Sequence, residues 1–463
     1  MLCRRMFLGL ALAAVWPPFM ACQGLDLRDL IPALVTSSLY LDPSLGNGVN
    51  HSLDFLLSTG LETRDAQLAL QAFNQLLASQ LSSLPFPSPS GGFTYKYEPG
   101  VGFIRNSESF GPIYADRAET IGKGRLDLAV GYSHSSFDRL DGLKLDPGDV
   151  LIITPHRDVN GDGELLHPYY EGDVMGTNLS LKVSSDVTAF ILNYGLSDRL
   201  DVGAVIPIAR VQIDALIAST IDRLSTSADP TIHRFPPGTP LRFDTPAITT
   251  GTFQMSGSAS GLGDIALRTK FHALESSNWG FAVACDIWFP SGNERDLLGT
   301  GATRIRPSLI GSLRLGLFSP HLNVGYTWAS TPPSDRLSPA PALKIPDEIS
   351  YTGGFDLVLG PRVTFAADVL GRTLRKTQIL SMTDRTFTAN TNPDDTKPPV
   401  LVQATLRTLT VHEGDVTTLL GSAGVKINPL GNLLVTVNAL FALDRRHGLE
   451  SAVTPFVGLD YSF

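Results

Sequence analysis

Charge is what this chain lacks most. Only 17 % of its 463 residues are Asp, Glu, Lys or Arg, against about 25 % in an average globular chain. Much of the surface is therefore expected to face something other than water. Cysteine is scarce as well, and three residues cannot build a disulfide framework. After the N-terminus no run of about 18 apolar residues occurs, which excludes an ordinary transmembrane helix. A basic surplus is missing too. The net charge of −9 argues against a nucleic-acid partner. Catalytic signatures are thin: the nine histidines form no His-x-x-x-His, and no Gly-x-Ser-x-Gly or phosphate-cradling loop occurs. His134-Ser135-Ser136 reads as a loop-edge histidine beside serines, and no enzyme is expected. What is abundant is glycine, at 43 residues, and proline, at 32. Many turns between many strands fit that composition.

Residues 1–24 read as a signal peptide, with Arg4-Arg5, an apolar stretch from Met6 to Trp16, and the breaker Pro17-Pro18. Arg4-Arg5-Met6-Phe7-Leu8 is open to a twin-arginine reading as well as to an ordinary charged start. Cys22 is open to lipidation as well as to plain cleavage nearby. The remainder divides in two. Residues 25–121 carry helical spacing, first from Leu25 to Leu39. A second helix is capped by Thr63 and runs to about Leu81, with Leu68, Leu70, Phe73, Leu76 and Leu77 apolar. Pro85, Pro87 and Pro89 end it, and a Gly/aromatic stretch follows. This part is expected to be a plug, a periplasmic cap or an arm.

Residues 122–463 alternate with period two. At Asn432 to Leu443 the odd positions are apolar and Asn432, Thr436 and Asn438 oppose them. Trp279 to Phe289 and Arg304 to Leu317 alternate in the same way. Soluble strands usually run about five or six residues, whereas these run ten or more, about what a tilted strand needs to cross a bilayer. Five connections are tight, at Gly195–Asp198, Glu275–Asn278, Phe318–Pro320, Gly360-Pro361 and Asn428–Gly431. Between them lie long ones, at 138–172, 223–257, 291–301, 332–347, 376–415 and 444–450. Short and long turns alternate in outer-membrane barrels, the short ones periplasmic. The census predicts an all-β, antiparallel, up-and-down transmembrane barrel of twelve strands with both termini periplasmic. An extra pair inside 376–415 would make fourteen. The last strand ends in Gly458-x-x-Tyr461-x-Phe463, the pattern that the barrel-assembly machinery reads, although Phe456 stands where a polar residue is usual. The outward faces would meet outer-membrane lipid and lipopolysaccharide of a Gram-negative bacterium.

Three segments carry a family resemblance: Tyr194–Gly203 followed by Ile206-Pro207, Ser260–Asp264 followed by Arg268-Thr269-Lys270, and Phe289–Gly292 running to Leu297–Gly301. Asn323–Tyr326 adds to them. Together they resemble the transporter-like barrels of the phenol meta-pathway family, relatives of the FadL-like hydrophobic-compound transporters, over about 172–463. The resemblance implies passive uptake of small hydrophobic or aromatic solutes, often past an N-terminal plug.

The faces opposite the apolar ones would line the lumen. They carry Asp264, Arg268, Lys270, Asp286, Arg304, Arg306, Arg314, Asp356, Arg362, Asp368, Arg372 and Lys426, with Arg125, Asp127 and Asp460 besides. Such charges must pair or face water. They fit either a paired network or a polar diffusion pore of mild anion preference. Phe93, Tyr95, Tyr97, Phe103, Phe110 and Tyr114 are the candidates for a hydrophobic ligand, or for sealing the plug. Cys285 falls on the lipid-facing register, so no bridge to Cys22 is expected. Asp158, Asn160, Asp162 and Glu164, around Gly161, have the oxygen spacing of a calcium loop. Tyr169 stands where the last acidic ligand belongs, and Glu171 comes two residues late. A structural calcium or a bare acidic turn fits, and no other cofactor is expected. The long loops leave room for a third role, adhesion or scaffolding.

Overall fold

Alternating side chains set this fold, because a strand with one apolar and one polar face is stable only where two different media meet. The computed structural model describes residues 25–43, 49–57, 63–83, 85–88, 92–98, 102–105, 107–229, 231–236, 249–331 and 345–463. The expected signal segment 1–24, with Arg4-Arg5 and Cys22, lies outside the described residues.

Two helices come first, α1 (Leu27–Ser38) and α2 (Arg64–Leu81). A small hairpin follows, β1 (Tyr95–Glu98) with β2 (Gly102–Arg105). The wall then runs β3 (Leu126–Leu140), β4 (Leu143–Lys144), β5 (Val150–Pro155), β6 (Val174–Ser197), β7 (Leu200–Asp222), β8 (Thr250–Leu262) and β9 (Ala266–Glu275). It continues β10 (Trp279–Trp288), β11 (Arg304–Leu313), β12 (Phe318–Ala329), β13 (Glu348–Gly360), β14 (Val363–Asn390), β15 (Leu401–Leu430), β16 (Leu433–Ala442), β17 (Leu449–Ser451) and β18 (Val453–Ser462). Neighbours pair antiparallel in chain order, and β3 pairs both β6 and β18, which closes the ring. β8 and β9 form one stave broken at Gly263-Asp264-Ile265, since β7 pairs β8 from Ile208 to Thr220 and β9 from Leu200 to Val205. The barrel therefore has twelve staves.

The alternative of fourteen fails for a specific reason. Residues 376–415 are mostly ladder: β14 and β15 pair from Thr377↔Gly414 to Asn390↔Leu401. The expected extra pair is the outward extension of the same two staves. Serine and threonine on both strands, such as the Thr386–Thr405 pair at 3.0 Å, made it resemble a loop. All five short turns are at one rim, although the third is at 314–317 and Phe318–Pro320 already belong to β12.

Outward side chains on the short staves are large and apolar: Val283 on β10, Ile305 and Leu309 on β11, Val457 and Leu459 on β18. Exposed apolar area on that scale needs a non-aqueous neighbour, and ring closure, with β3 pairing both β6 and β18, is what lets strands stand in lipid. The chain is an outer-membrane barrel. Phe463 ends the seam, its N–H donating to Leu126 O at 2.8 Å. Gly458 and Tyr461 sit opposite Gly131 and Leu128 of β3. Phe456 is buried against that seam. A Cβ on Gly131 would come within 2.5 Å of its ring, so a bare glycine is what lets the aromatic lie there. Cys285 is a free thiol on the outward register.

The N-terminal segment packs inside the wall. α1 and α2 occupy the long-loop end against β7, β8, β14 and β15. The described N-terminal segment therefore starts at the rim opposite to the short turns, while the barrel itself begins at Leu126 and ends at Phe463 on the short-turn rim, as expected for both of its termini. The boundaries of α2 match the spacing, but Thr63 makes no side-chain cap and Leu68 is 41 % exposed. The Thr63 backbone is already helical (φ −91°, ψ −3°), which points its hydroxyl away from the capping geometry.

Candidate functional site

The lumen is filled from both ends and open between. At the outer end Leu30, Ile31 and Leu34 of α1 and Phe73, Leu76 and Leu77 of α2 are fully buried with Ile213, Ile217, Leu380 and Leu409 of the wall. Ala, Leu and Gln dominate α2, so helix propensity and burial agree there.

At the inner end, beyond the β1–β2 hairpin, residues 107–121 form no helix or strand, and the wall satisfies much of their backbone instead. Residues 110–121 cross the lumen, and successive staves take their N–H groups. Phe110 N donates to Thr364 Oγ1 (3.1 Å) and Tyr114 N to Asp368 Oδ2 (3.0 Å) on β14. Asp116 N donates to Asn323 on β12 (2.7 Å), Ala118 N to Ser312 on β11 (2.9 Å) and Ile121 N to Asp201 on β7 (3.2 Å). Two buried lysines take carbonyls. Lys426 Nζ donates to Phe110 O and Pro112 O (3.2 and 2.6 Å), and Lys270 Nζ to Arg117 O and Glu119 O (3.3 and 2.6 Å). Arg314 reaches Glu119 at 2.8 Å. Asp356 holds His321 Nε2 at 2.5 Å, and His321 in turn meets Ser312. An irregular backbone inside a barrel is stable only when nearly every polar group is matched in this way.

Between helices and girdle lies a cavity of about 220 Å³. Leu81 and Ser83 form its roof, Phe86 packs on the Val205 cluster at its side, and Tyr114 and Asp116 form its floor. Val187, Val205 and Val211 make one wall apolar. The opposite wall is a ladder of guanidinium groups. Arg268 binds Asp116 (2.5 Å) and Asp286 (3.1 Å), and Arg306 binds Asp286 (2.9 Å). Arg304 lies 3.6 Å from Asp264, and Arg372 binds Glu348 (3.0 Å). The Trp288 ring sits beneath Arg304 and Arg306, 5.1 and 4.8 Å from its centroid, within cation–π range. Asp264 also accepts from Thr300 N (2.9 Å), tying the 291–301 loop inward beside the break between β8 and β9.

Of the charges expected in the lumen, Asp264, Arg268, Asp286, Arg304, Arg306 and Arg372 meet at the cavity. Lys270, Arg314, Asp356, Asp368 and Lys426 belong to the girdle. Arg362 is a correction: it is exposed in the two-residue turn between β13 and β14, one position short of the ladder. Below the girdle, Arg125 lies 4.1 Å from the Tyr95 ring, Asp127 accepts from Ser462 Oγ, and Asp460 abuts Gly92.

The aromatic candidates need correction as well. Phe93 and Phe110 pack edge to face at 5.5 Å against Leu434, and Tyr95 Oη donates to Asn432 at 3.2 Å. That is the short-turn rim, below the girdle and away from the cavity. Of the six, Tyr114 lines the cavity. The side chains of Tyr97 and Phe103 lie outside the described residues. Phe86, Trp288 and Tyr351 are the cavity aromatics that the spacing did not single out, together with the anions Asp116 and Glu348 at the cavity and Glu119 in the girdle. A run of charges at Asp116-Arg117-Ala118-Glu119, inside an otherwise Gly/aromatic stretch, was the available signal.

In the 158–164 loop the Asp158 carboxylate accepts from Gly161 N (2.5 Å) and Gly163 N (2.7 Å), and Glu171 accepts from Val159 N (2.7 Å). Its oxygens are thus engaged with the loop backbone. Among the described residues, metal-ligating atoms converge elsewhere, at His51, Asp54, His156 and His233. His134 and Ser135 lie on opposite faces of β3, bonded to Asp186 and Thr454 respectively, so they do not form a dyad.

Residues 172–366 match the family model described as "Putative MetA-pathway of phenol degradation". No curated protein matches. Among solved structures, the barrel is similar to an outer membrane channel from Pseudomonas putida F1 at 13 % identity and a TM-score of 0.43, covering 75 % of this chain and 98 % of that one. A FadL homologue of Pseudomonas aeruginosa matches at 11 % identity and 0.29, covering 74 % and 90 %. The toluene transporter TbuX of Ralstonia pickettii matches at 10 % and 0.26, covering 74 % and 90 %. The resemblance carried by Tyr194–Gly203, Ser260–Asp264 and Phe289–Gly301 thus falls within the matched stretch, and over residues 172–366 this barrel wall is similar to the phenol meta-pathway family.

Proposed function

We propose that this barrel takes up small hydrophobic or aromatic solutes passively across the outer membrane, holding one ring at a time in the chamber between the helices and the girdle. The observation that carries this reading is the chamber's two-sided lining. Phe86, Trp288 and three valines offer a ring its apolar contacts, and Arg304, Arg306 and Arg372 offer donors to a hydroxyl or carboxylate. Its 220 Å³ suits one ring, since an apolar cavity of about 150 Å³ is enough for benzene. A freely conducting polar pore would need the whole N-terminal segment to leave. Solute would enter past α1 and α2 and leave beside Gly263-Asp264-Ile265, where β8 gives way to β9 and β7 is the one neighbour that β8 pairs with among the described residues. Gly458, Tyr461 and Phe463 would serve recognition by the assembly machinery, and a calcium ion at 158–164 would stiffen an outer loop.

Radiolabelled phenol or benzoate uptake by cells expressing the protein, set beside single-channel recording, tests the proposal. Expected are saturable uptake and a silent bilayer, with uptake reduced in Arg306→Ala. A steady ohmic current without aromatic uptake sinks the carrier reading in favour of a diffusion porin.

A further inference from the structure

A buried cluster at the outer end plays no part in the lumen. Three separate segments build it: His51 and Asp54 between α1 and α2, His156 just after β5, and His233 in the connection from β7 to β8. One ligand-type atom from each lies within 4.8 Å of all the others. The side chains of His156 and His233 are 0 % exposed, and those of His51 and Asp54 are 2 % exposed. Asp54 Oδ2 is the hub. His51 Nδ1 is 2.6 Å from it, His156 Nε2 3.0 Å and His233 Nε2 3.3 Å.

The far sides of two rings fix which nitrogen points at the hub. His156 Nδ1 is 2.5 Å from the Arg157 carbonyl oxygen, which can only accept, so Nδ1 carries the proton. His233 Nδ1 is 2.8 Å from Asp173 Oδ2, a carboxylate, and carries a proton for the same reason. In the neutral rings both Nε2 atoms are then bare lone pairs directed toward a carboxylate. His156 Nε2 makes no hydrogen bond despite its 3.0 Å approach. Lone pairs facing each other in a dry site repel unless a cation sits between them. A carbonyl or carboxylate behind an imidazole is also how metal-binding histidines are oriented.

We propose that His51, Asp54, His156 and His233 form a structural site for one divalent transition ion of the zinc class, which clamps the N-terminal segment to two outer connections. Three imidazoles and one carboxylate suit such an ion, whereas calcium and magnesium take oxygen sets. A tetrahedral ion with bonds of about 2.0 Å holds its ligands about 3.3 Å apart. Two of the three distances to Asp54 already lie near that value; on binding, the 2.6 Å His51 contact has to open by about 0.7 Å and the widest separations, up to 4.8 Å, have to close around the ion. Charge balances as well, since Asp54 and Asp173 offset the ion. Arg157 Nη2 lies 3.4 Å from the other Asp54 oxygen, outside the ligand set. Phe55 and Tyr170 rings wall the cluster, leaving no open position for a reacting water. The site therefore holds structure together and performs no chemistry.

The test uses tag-free, full-length protein in detergent, stripped with chelator and titrated with Co²⁺, whose four-coordinate complexes absorb far more strongly in the visible than six-coordinate ones. One equivalent is expected to give intense bands that Zn²⁺ abolishes, and Zn²⁺ should raise the melting temperature. His156→Ala and His233→Ala should lose the bands. Buried substitutions can loosen the helices, so Asp173→Asn provides the milder arm. It should weaken binding about 10- to 100-fold through loss of ring orientation, with the gel mobility of the folded barrel unchanged. A stripped, folded wild-type protein that takes up neither ion overturns the proposal. So does a wild-type signal that survives in both alanine variants. A cluster held together by protons alone would give the first of these results.

Discussion

The two ends of this lumen exclude water by opposite chemistries. The outer end uses two helices whose Leu, Ala and Phe side chains meet an apolar wall. The inner end uses an irregular chain, many of whose N–H, C=O and carboxylate groups are matched by wall side chains. Apolar contacts are non-directional, so the outer end can lose one contact and settle around the gap. The girdle is directional. Removing a partner there strands a buried polar group, which costs more than the contact contributed. Stability at one end is graded, and at the other it depends on complete matching.

The sharpest way to break that contrast is Lys270→Met. It leaves Asp201 without its cation and two carbonyls without a donor. The expected cost is about 3–5 kcal/mol, with residues 107–121 released. Hydrogen exchange in residues 107–121 should then rise while α1 and α2 keep the bilayer silent, and a variant as protected and as stable as the wild type would refute the girdle's role. Phe73→Ala, at the centre of the outer core, is expected to cost about 3 kcal/mol. Hydrogen exchange in α2 should rise while the bilayer stays silent. Current from this variant would mean that the outer end alone gates the lumen.

Glu450, on β17, is the outer end's exception. Burial pushes its carboxyl up to about 8, with Asp444 and Asp138 adding to the rise and Arg445 opposing it. The folded state therefore prefers the protonated acid. Its stabilising contribution is whole below the ordinary carboxylate value of 4.5 and is lost as pH rises through 8. Melting temperature should fall across that window, and Glu450→Gln should flatten the fall. An unchanged slope in the variant would assign the pH dependence elsewhere. The smallest effect is expected from Arg385→Ala. Its partner Asp65 on α2 is 2.9 Å away, but both side chains are well exposed. The cost should stay below about 1 kcal/mol in a denaturation midpoint, and a larger one would mean that the hairpin of β14 and β15 braces the helices more firmly than apolar contact explains.

The wall was readable because period two and the alternation of short and long turns are local signals. Each tight turn, such as Gly431-Asn432 between β15 and β16, announces itself in a few residues. What could not be read were the meetings of distant residues. Nothing near Phe93 tells that it packs on Leu434 at the short-turn rim, or near Phe86 that it packs with Trp288 on one apolar cluster of the chamber. The lumen charges were found by register, but their partners Asp116, Glu119 and Glu348 were not, because pairing across a barrel has no spacing rule. His51, Asp54, His156 and His233 are the extreme case, spread over 183 positions and joined only by the fold.

The path of the N-terminal segment bears on how the protein can be assembled. Residues 25–121 enter at the long-loop rim, pass through the barrel and reach the other rim where β3 begins. Helices with side chains are about 10 Å across, and the girdle below them is bonded to staves all around the ring. Such an insert cannot be slid into a finished cylinder. Enclosing the segment while β18 and β3 are still apart, before Gly458 meets Gly131, is the order this geometry favours, and it would leave the cavity residues inside.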